Sequence, residues 1–167
     1  AETAPRIGDF SLLDAEGYFH QMSWYDDHKA LVLLSYSNDD KQLSTMLGAF
    51  SELRDNAGDS FEFFLIDSQG KRNRSDIAAA MAHAGISLPV LMDDAQLVGE
   101  ALGLSMSGEV VVFDPKRFSV IARGFGEQAL PVVSELLAAL DHGAETSSTV
   151  AAVSATKPDA GSLLGQS

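Results

Sequence analysis

Two short, nearly continuous apolar runs, Ala30–Leu–Val–Leu–Leu–Ser–Tyr36 and Phe61–Glu–Phe–Phe–Leu–Ile66, constrain this chain more than any other feature. Runs of six or seven such residues, rich in aromatic and branched side chains, predict strands buried on both faces of a sheet. Between them Leu43, Met46, Leu47, Phe50 and Leu53 recur at helical spacing, behind the cap and turn residues Ser37–Asn–Asp–Asp40. Asn56 to Ser60 breaks that helix. Strand, helix and strand in this order predict a right-handed crossover and parallel pairing.

The flanking segments extend the pattern. Ile7 to Leu13 alternates weakly and ends in Asp14–Ala–Glu–Gly17, so Tyr18 to Met22 is expected to return as the second arm of a hairpin. Ser75 can cap a helix that runs to Ala84 and stops at Gly85. Ile86–Ser–Leu–Pro–Val–Leu–Met92 reads as extended, and Asp93 or Asp94 can cap a short helix through Leu97, Val98, Ala101 and Leu102. Glu109–Phe113 and Phe118–Arg123 then form strands joined by the turn Asp114–Pro–Lys–Arg117. A last helix runs from Glu127 to Leu140, with Pro131 tolerated in its first turn.

The chain has 167 residues, enough for one domain with a proper core, expected over residues 1–143. From residue 144 to 167 the composition shifts to Ala, Ser, Thr and Gly, as in a tail or linker. A segment so poor in large apolar residues cannot order itself, and Val150, Val153, Leu163 and Leu164 are its candidate anchors on a partner. The net charge is −13, with 11 Lys and Arg against 24 Asp and Glu, which disfavours nucleic acid and anionic lipid. No apolar run is long enough to span a bilayer. Cysteine is absent, which removes disulfides, thiolate nucleophiles and zinc–thiolate sites together. The opening Ala–Glu–Thr–Ala–Pro5 reads as the start of a mature exported protein.

Asp9–Phe–Ser–Leu12 with Asp14–Ala–Glu–Gly17, Leu88–Pro–Val–Leu–Met–Asp93 and Glu109–Val–Val–Val–Phe–Asp–Pro115 occur in an order that resembles the thioredoxin-like redoxin family. The likeness is to its peroxiredoxin and periplasmic thiol-disulfide oxidoreductase branch and covers Ile7 to Leu140. It implies a three-layer α/β/α fold with a central mixed sheet and an N-terminal β-hairpin. In that family a helix N-terminus lowers the pKa of an attacking cysteine. Here Asp40 stands where that cysteine would be and Leu43 where the resolving cysteine would be, and neither can do thiol chemistry. Gly108 stands where the family has its cis-proline, so the loop Met106–Ser107–Gly108 is expected to be shaped differently.

The resemblance therefore implies a degenerate, non-catalytic member that keeps the scaffold without its site, with no cofactor. Its former active-site edge, Ser37, Asn38, Asp39, Asp40, Ser107 and Gly108, is a candidate binding surface, although carboxylates there also serve as ordinary helix caps. Lys71, Arg72 and Arg74 form a basic loop that could dock an anion or an acidic partner, or be merely solvated. His20, His28, His83 and His142 show no metal-ligand spacing, and a Ser37, His28 and Asp26 set has no supporting motif. The expected function is a binding or structural subunit of an extracytoplasmic protein complex, with the tail as docking arm. The alternative is a thiol-independent protein that binds a small ligand or metal at the same edge.

Overall fold

Strand β3 (Ala30–Ser35) is buried along its whole length because it lies at the centre of a five-stranded sheet and sends alternate side chains into two separate cores. Ala30, Val32 and Leu34 enter one core, Leu31 and Leu33 the other. A strand with water on neither face has no use for polar alternation, which accounts for the apolar run. The computed structural model describes residues 8–37, 43–67, 74–93, 96–104 and 107–143.

The elements follow the expected order. A hairpin of β1 (Ser11–Leu13) and β2 (Phe19–Gln21) leads through a 3-10 turn, Met22–Tyr25, into β3. Then come α1 (Leu43–Ala57), β4 (Phe61–Asp67), α2 (Arg74–Ala84), β5 (Val90–Met92), α3 (Leu97–Leu102), β6 (Glu109–Asp114), β7 (Ser119–Phe125) and α4 (Ala129–Asp141). The sheet order is β5-β4-β3-β6-β7, with β3 parallel to β4, β4 parallel to β5, and the other two pairings antiparallel. The mixed sheet is therefore present, and the hairpin forms a small sheet of its own. A single bridge, Asp14 to Leu91, and the Ala15 N–H donating to the Val90 carbonyl at 2.8 Å moor the hairpin to β5.

One core takes the apolar faces of α1, α2 and α4, through Phe50, Ile77, Val133 and Leu137 among others. The second core lies beneath the hairpin and α3, with Met22, Phe64, Leu102 and Phe113 fully buried. Between β6 and β7 the pairing Phe113 to Val120 is followed by Val112 to Ala122, so Ile121 is an extra residue. This bulge turns the consecutive residues Ile121 and Ala122 into the same core, which strict alternation would forbid.

Several boundaries differ from the sequence expectation. Only Val90–Met92 of the segment 86–92 pairs as a strand, since Pro89 offers no N–H and gives its carbonyl to the Leu65 N–H. Ser75 lies inside α2 and does not precede it. Phe118 belongs to the turn at φ +54°, and β7 continues to Phe125. The Asp114 carboxylate closes that turn by accepting the N–H groups of Lys116 and Arg117 at 2.8 and 3.2 Å.

Of the two expected caps for α3, Asp93 serves; Asp94 lies outside the described residues. The Asp93 carboxylate accepts the N–H groups of Val98 at 3.2 Å and Gly99 at 2.6 Å, while being 1% exposed. Removing it strands buried donors at the start of a six-residue helix with little cohesion of its own. Asp93→Ala is therefore expected to lower unfolding stability by roughly 2–3 kcal/mol, read from the denaturant midpoint.

Candidate functional site

The carboxyl ends of β3, β4 and β5, the amino end of β6 and the carboxyl end of β7 share one edge of the sheet, as their register requires. Open α/β sheets put their chemistry at such an edge. Ser37 is there, buried directly after β3, and Ser107 and Gly108 are there, directly before β6. The backbone ties these segments together. Gly108 N–H donates to the Ser35 carbonyl at 2.8 Å, and Gly126 N–H donates to the Gly108 carbonyl at 3.0 Å. Tyr36 N–H donates to the Ile66 carbonyl at 2.8 Å, and Asp93 N–H to the Asp67 carbonyl at 2.9 Å. Asp67, Asp93 and Glu109, each 1% exposed, are three buried acidic residues along this edge that the sequence reading did not single out.

Gly108 sits at φ +91°, a conformation natural to glycine. A Cβ built there would lie 3.4 Å from the Phe125 ring. The loop is thus shaped for glycine, in line with the expectation that it departs from a proline-bearing one. Asn38, Asp39, Asp40, Lys71 and Arg72, and the tail anchors Val150, Val153, Leu163 and Leu164, lie outside the described residues. Arg74 is described, and its guanidinium lies against the hairpin turn: a Cβ on Gly17 would be 3.0 Å from Nη1.

The Ser37, His28 and Asp26 set does not exist as a site. His28 precedes β3 and Ser37 follows it, so the strand's whole length separates them. His28 instead pairs with Asp27 at 2.7 Å and with Glu62 at 3.3 Å. Among the described residues no group of three or more His, Asp and Glu side chains is placed to hold a metal ion.

A different triad is present under the hairpin. His20 Nε2 meets Asp14 Oδ2 at 2.7 Å, and His20 Nδ1 meets the Tyr25 hydroxyl at 2.8 Å. A carboxylate only accepts, so Nε2 donates; in the neutral imidazole Nδ1 then accepts the phenol proton. Carboxylate, imidazole and hydroxyl in a row is an arrangement that elsewhere activates a nucleophile. Here burial, followed by the charges of Glu62 and Asp14, pushes the Tyr25 phenol above its ordinary 10.0. The proton is held more tightly, the opposite of activation. The other Asp14 oxygen accepts the N–H groups of Glu16 and Tyr18, both at 2.9 Å, so the triad ties the hairpin turn to β2 and the 3-10 turn.

A raised phenol pKa adds stability that is complete below pH 10.0 and is lost as pH rises through the folded value. The stability difference between the natural chain and Tyr25→Phe is expected to shrink as pH is raised from about 9 to 11, in urea melts across that range. A constant difference would mean that Tyr25 keeps an ordinary phenol.

No protein-family model and no curated protein sequence matches the chain. Solved structures do match. A hypothetical protein from Sinorhizobium meliloti 1021 superposes with a TM-score of 0.71 at 19% identity, covering 90% of each chain. The exposed lipoprotein thioredoxin of Streptococcus pneumoniae gives 0.66 at 20% identity, over 78% of this chain and 98% of that one. A secreted Mycobacterium tuberculosis disulfide oxidoreductase gives 0.63 at 12% identity, over 78% and 95%. The fold is thioredoxin-like, of the kind carried by thiol-disulfide oxidoreductases. This chain has no cysteine anywhere in its length.

Proposed function

We propose that the protein is a non-catalytic, thioredoxin-like binding or structural subunit of an extracytoplasmic protein complex, with residues 144–167 as its docking arm. The observation that carries this reading is the state of the sheet edge. It has no thiol, and its backbone is closed on itself through Ser35, Gly108 and Gly126. A scaffold that persists after its reactive groups are gone is kept for its surface.

The arm starts from a fixed point. Lys29, directly before β3, donates through Nζ to the Asp141 carbonyl at 2.9 Å, so α4 ends at the opposite end of the sheet from Gly108. An extracytoplasmic setting draws support from the structural relatives described as an exposed lipoprotein and as a secreted oxidoreductase.

The test is recovery of the full-length chain from an extract of its source, with mass spectrometry of what accompanies it. A second sample carries serine at Val150, Val153, Leu163 and Leu164. The expected result is a stoichiometric companion held by the natural chain and lost by the variant. Ligand binding at the edge predicts instead a rise in melting temperature with a divalent metal or small anion, since a ligand that binds only the native state stabilises it. No such shift is expected across that panel.

A further inference from the structure

We propose that the outer face of the N-terminal hairpin is a docking surface for a basic segment of a partner protein that carries aromatic or aliphatic side chains. This deepens the binding-subunit reading and rests on it.

Strand alternation divides the hairpin into two faces. Leu12 and His20, paired in register, turn inward onto the core, and Leu13 and Phe19, the next pair, turn out. Phe19 meets Trp24 edge-on with ring centroids 5.3 Å apart. Leu13, Tyr18, Phe19 and Trp24 are 43%, 66%, 47% and 58% exposed. With whole aromatic side chains offering 150–250 Å², Leu13, Phe19 and Trp24 leave on the order of 300 Å² of apolar surface on this face, within the range where a patch on a monomer is often functional, and Tyr18 stands at its border beside the turn. The surface is also preorganised: Met22 beneath it is fully buried, and the Asp14, His20 and Tyr25 triad pins the hairpin, so binding would order little.

The charges around the patch select its occupant. From Gly8 to His28 the chain has five carboxylates and no Lys or Arg. Asp9, Glu16, Asp26 and Asp27 are exposed. Asp9 joins Gln21 and the Ser23 N–H at 2.8 and 2.9 Å, beside Trp24. Partial burial pulls the Asp9 carboxyl upward, but the hydrogen bonds from Gln21 and Ser23 outweigh it and hold Asp9 below its ordinary 3.8. Among the described residues, the cations that border this segment are Arg74 at Gly17, Lys29 directly after His28, whose Nζ is engaged by Asp141 at 3.4 Å, and Lys116 at the His28 carbonyl. Apolar side chains inside an acidic rim match a segment with Lys or Arg among apolar residues, and exposed aromatic faces add cation–π attraction. A second copy would bring the same acidic rim on a body of charge −13. The patch is also well under half the ~800 Å² that each partner contributes to a standard interface. Anionic lipid is repelled by the same carboxylates.

Trp24 is the sole tryptophan, so its emission reports on the patch directly. The probe is a synthetic amphipathic peptide of leucine and lysine, with the same pattern in leucine and glutamate as control. The lysine peptide is expected to shift Trp24 emission to the blue and to shield it from acrylamide. Its binding is expected to weaken with added salt, and at least tenfold in the surface variant Leu13→Ser/Phe19→Ser. The glutamate peptide is expected to leave the emission unchanged. Binding without a change at Trp24, or equally tight binding by the variant, would mean charge adhesion elsewhere and overturn the proposal. A dimer in sedimentation that Phe19→Ser abolishes would assign the surface to a second copy. A red shift on placing serine at the four tail positions of the free chain would assign it to the tail. If the peptide arms fail while the chain still brings a tail-dependent companion from its extract, the hairpin proposal falls and the binding-subunit reading stands.

Discussion

Replacing Phe64 by alanine is expected to cost about 3–5 kcal/mol of unfolding stability and to loosen the hairpin selectively. Phe64 is 1% exposed at the centre of β4. The rings of His20 and Tyr25 stand edge-on against it, with centroids at 5.4 and 5.5 Å. Two of the three triad members thus rest on one side chain, and its removal leaves a void under the hairpin. Phe50→Ala provides the control: it empties a comparable volume in the other core, where Phe50 packs on Phe63 at 5.5 Å. Both variants should lose several kcal/mol in denaturant melts. Only Phe64→Ala should also speed amide exchange at Ala15, Gly17 and Tyr18 under native conditions. Equal hairpin protection in the two variants would show that the triad does not depend on this platform.

Introducing proline at position 108, where the resemblance to the redoxin family would place one, is expected to destabilise the fold by about 3 kcal/mol or more. Gly108 lies at φ +91°, whereas proline is confined near −65°. The change also deletes the N–H that donates to Ser35 at 2.8 Å. Gly108→Ala keeps the donor and retains the positive φ, with its Cβ 3.4 Å from the Phe125 ring, so it is expected to cost roughly 1–2 kcal/mol. Melting temperatures should therefore fall in the order glycine, alanine, proline. A proline variant as stable as the natural chain would mean that this loop accommodates proline without strain.

The architecture was legible because its strongest signals are local. Burial on both faces writes an apolar run into β3 and β4, the periodicity of α1 and α4 marks their core faces, and Asp114 announces its own turn. Strand ends were less legible, since they are set by partners distant in sequence: β7 reaches Phe125 because Glu109 is there to pair with it. The bulge at Ile121 left no trace in composition for the same reason.

The candidate site was legible only in part. Ser37, Ser107 and Gly108 do meet at one edge, as the order of strands demands, while Asn38, Asp39 and Asp40 fall outside the described residues. Asp14, His20 and Tyr25 have no motif spacing, because the hairpin, and not a helix or loop, brings them together. The outer hairpin patch did have a signal. Leu13 and Phe19 flank the turn in the opposite phase to Leu12 and His20, so two apolar residues had to face away from the core.

The central claim is that this fold acts through surfaces away from its closed edge. The most direct measurement is amide hydrogen exchange along the full chain, free and in the complex recovered from its extract. The account predicts new protection across residues 9–25 and in the tail, with exchange at Tyr36, Gly108 and Gly126 unchanged. Protection concentrated at Tyr36, Gly108 and Gly126, with the hairpin and tail exchanging as in the free chain, would contradict it.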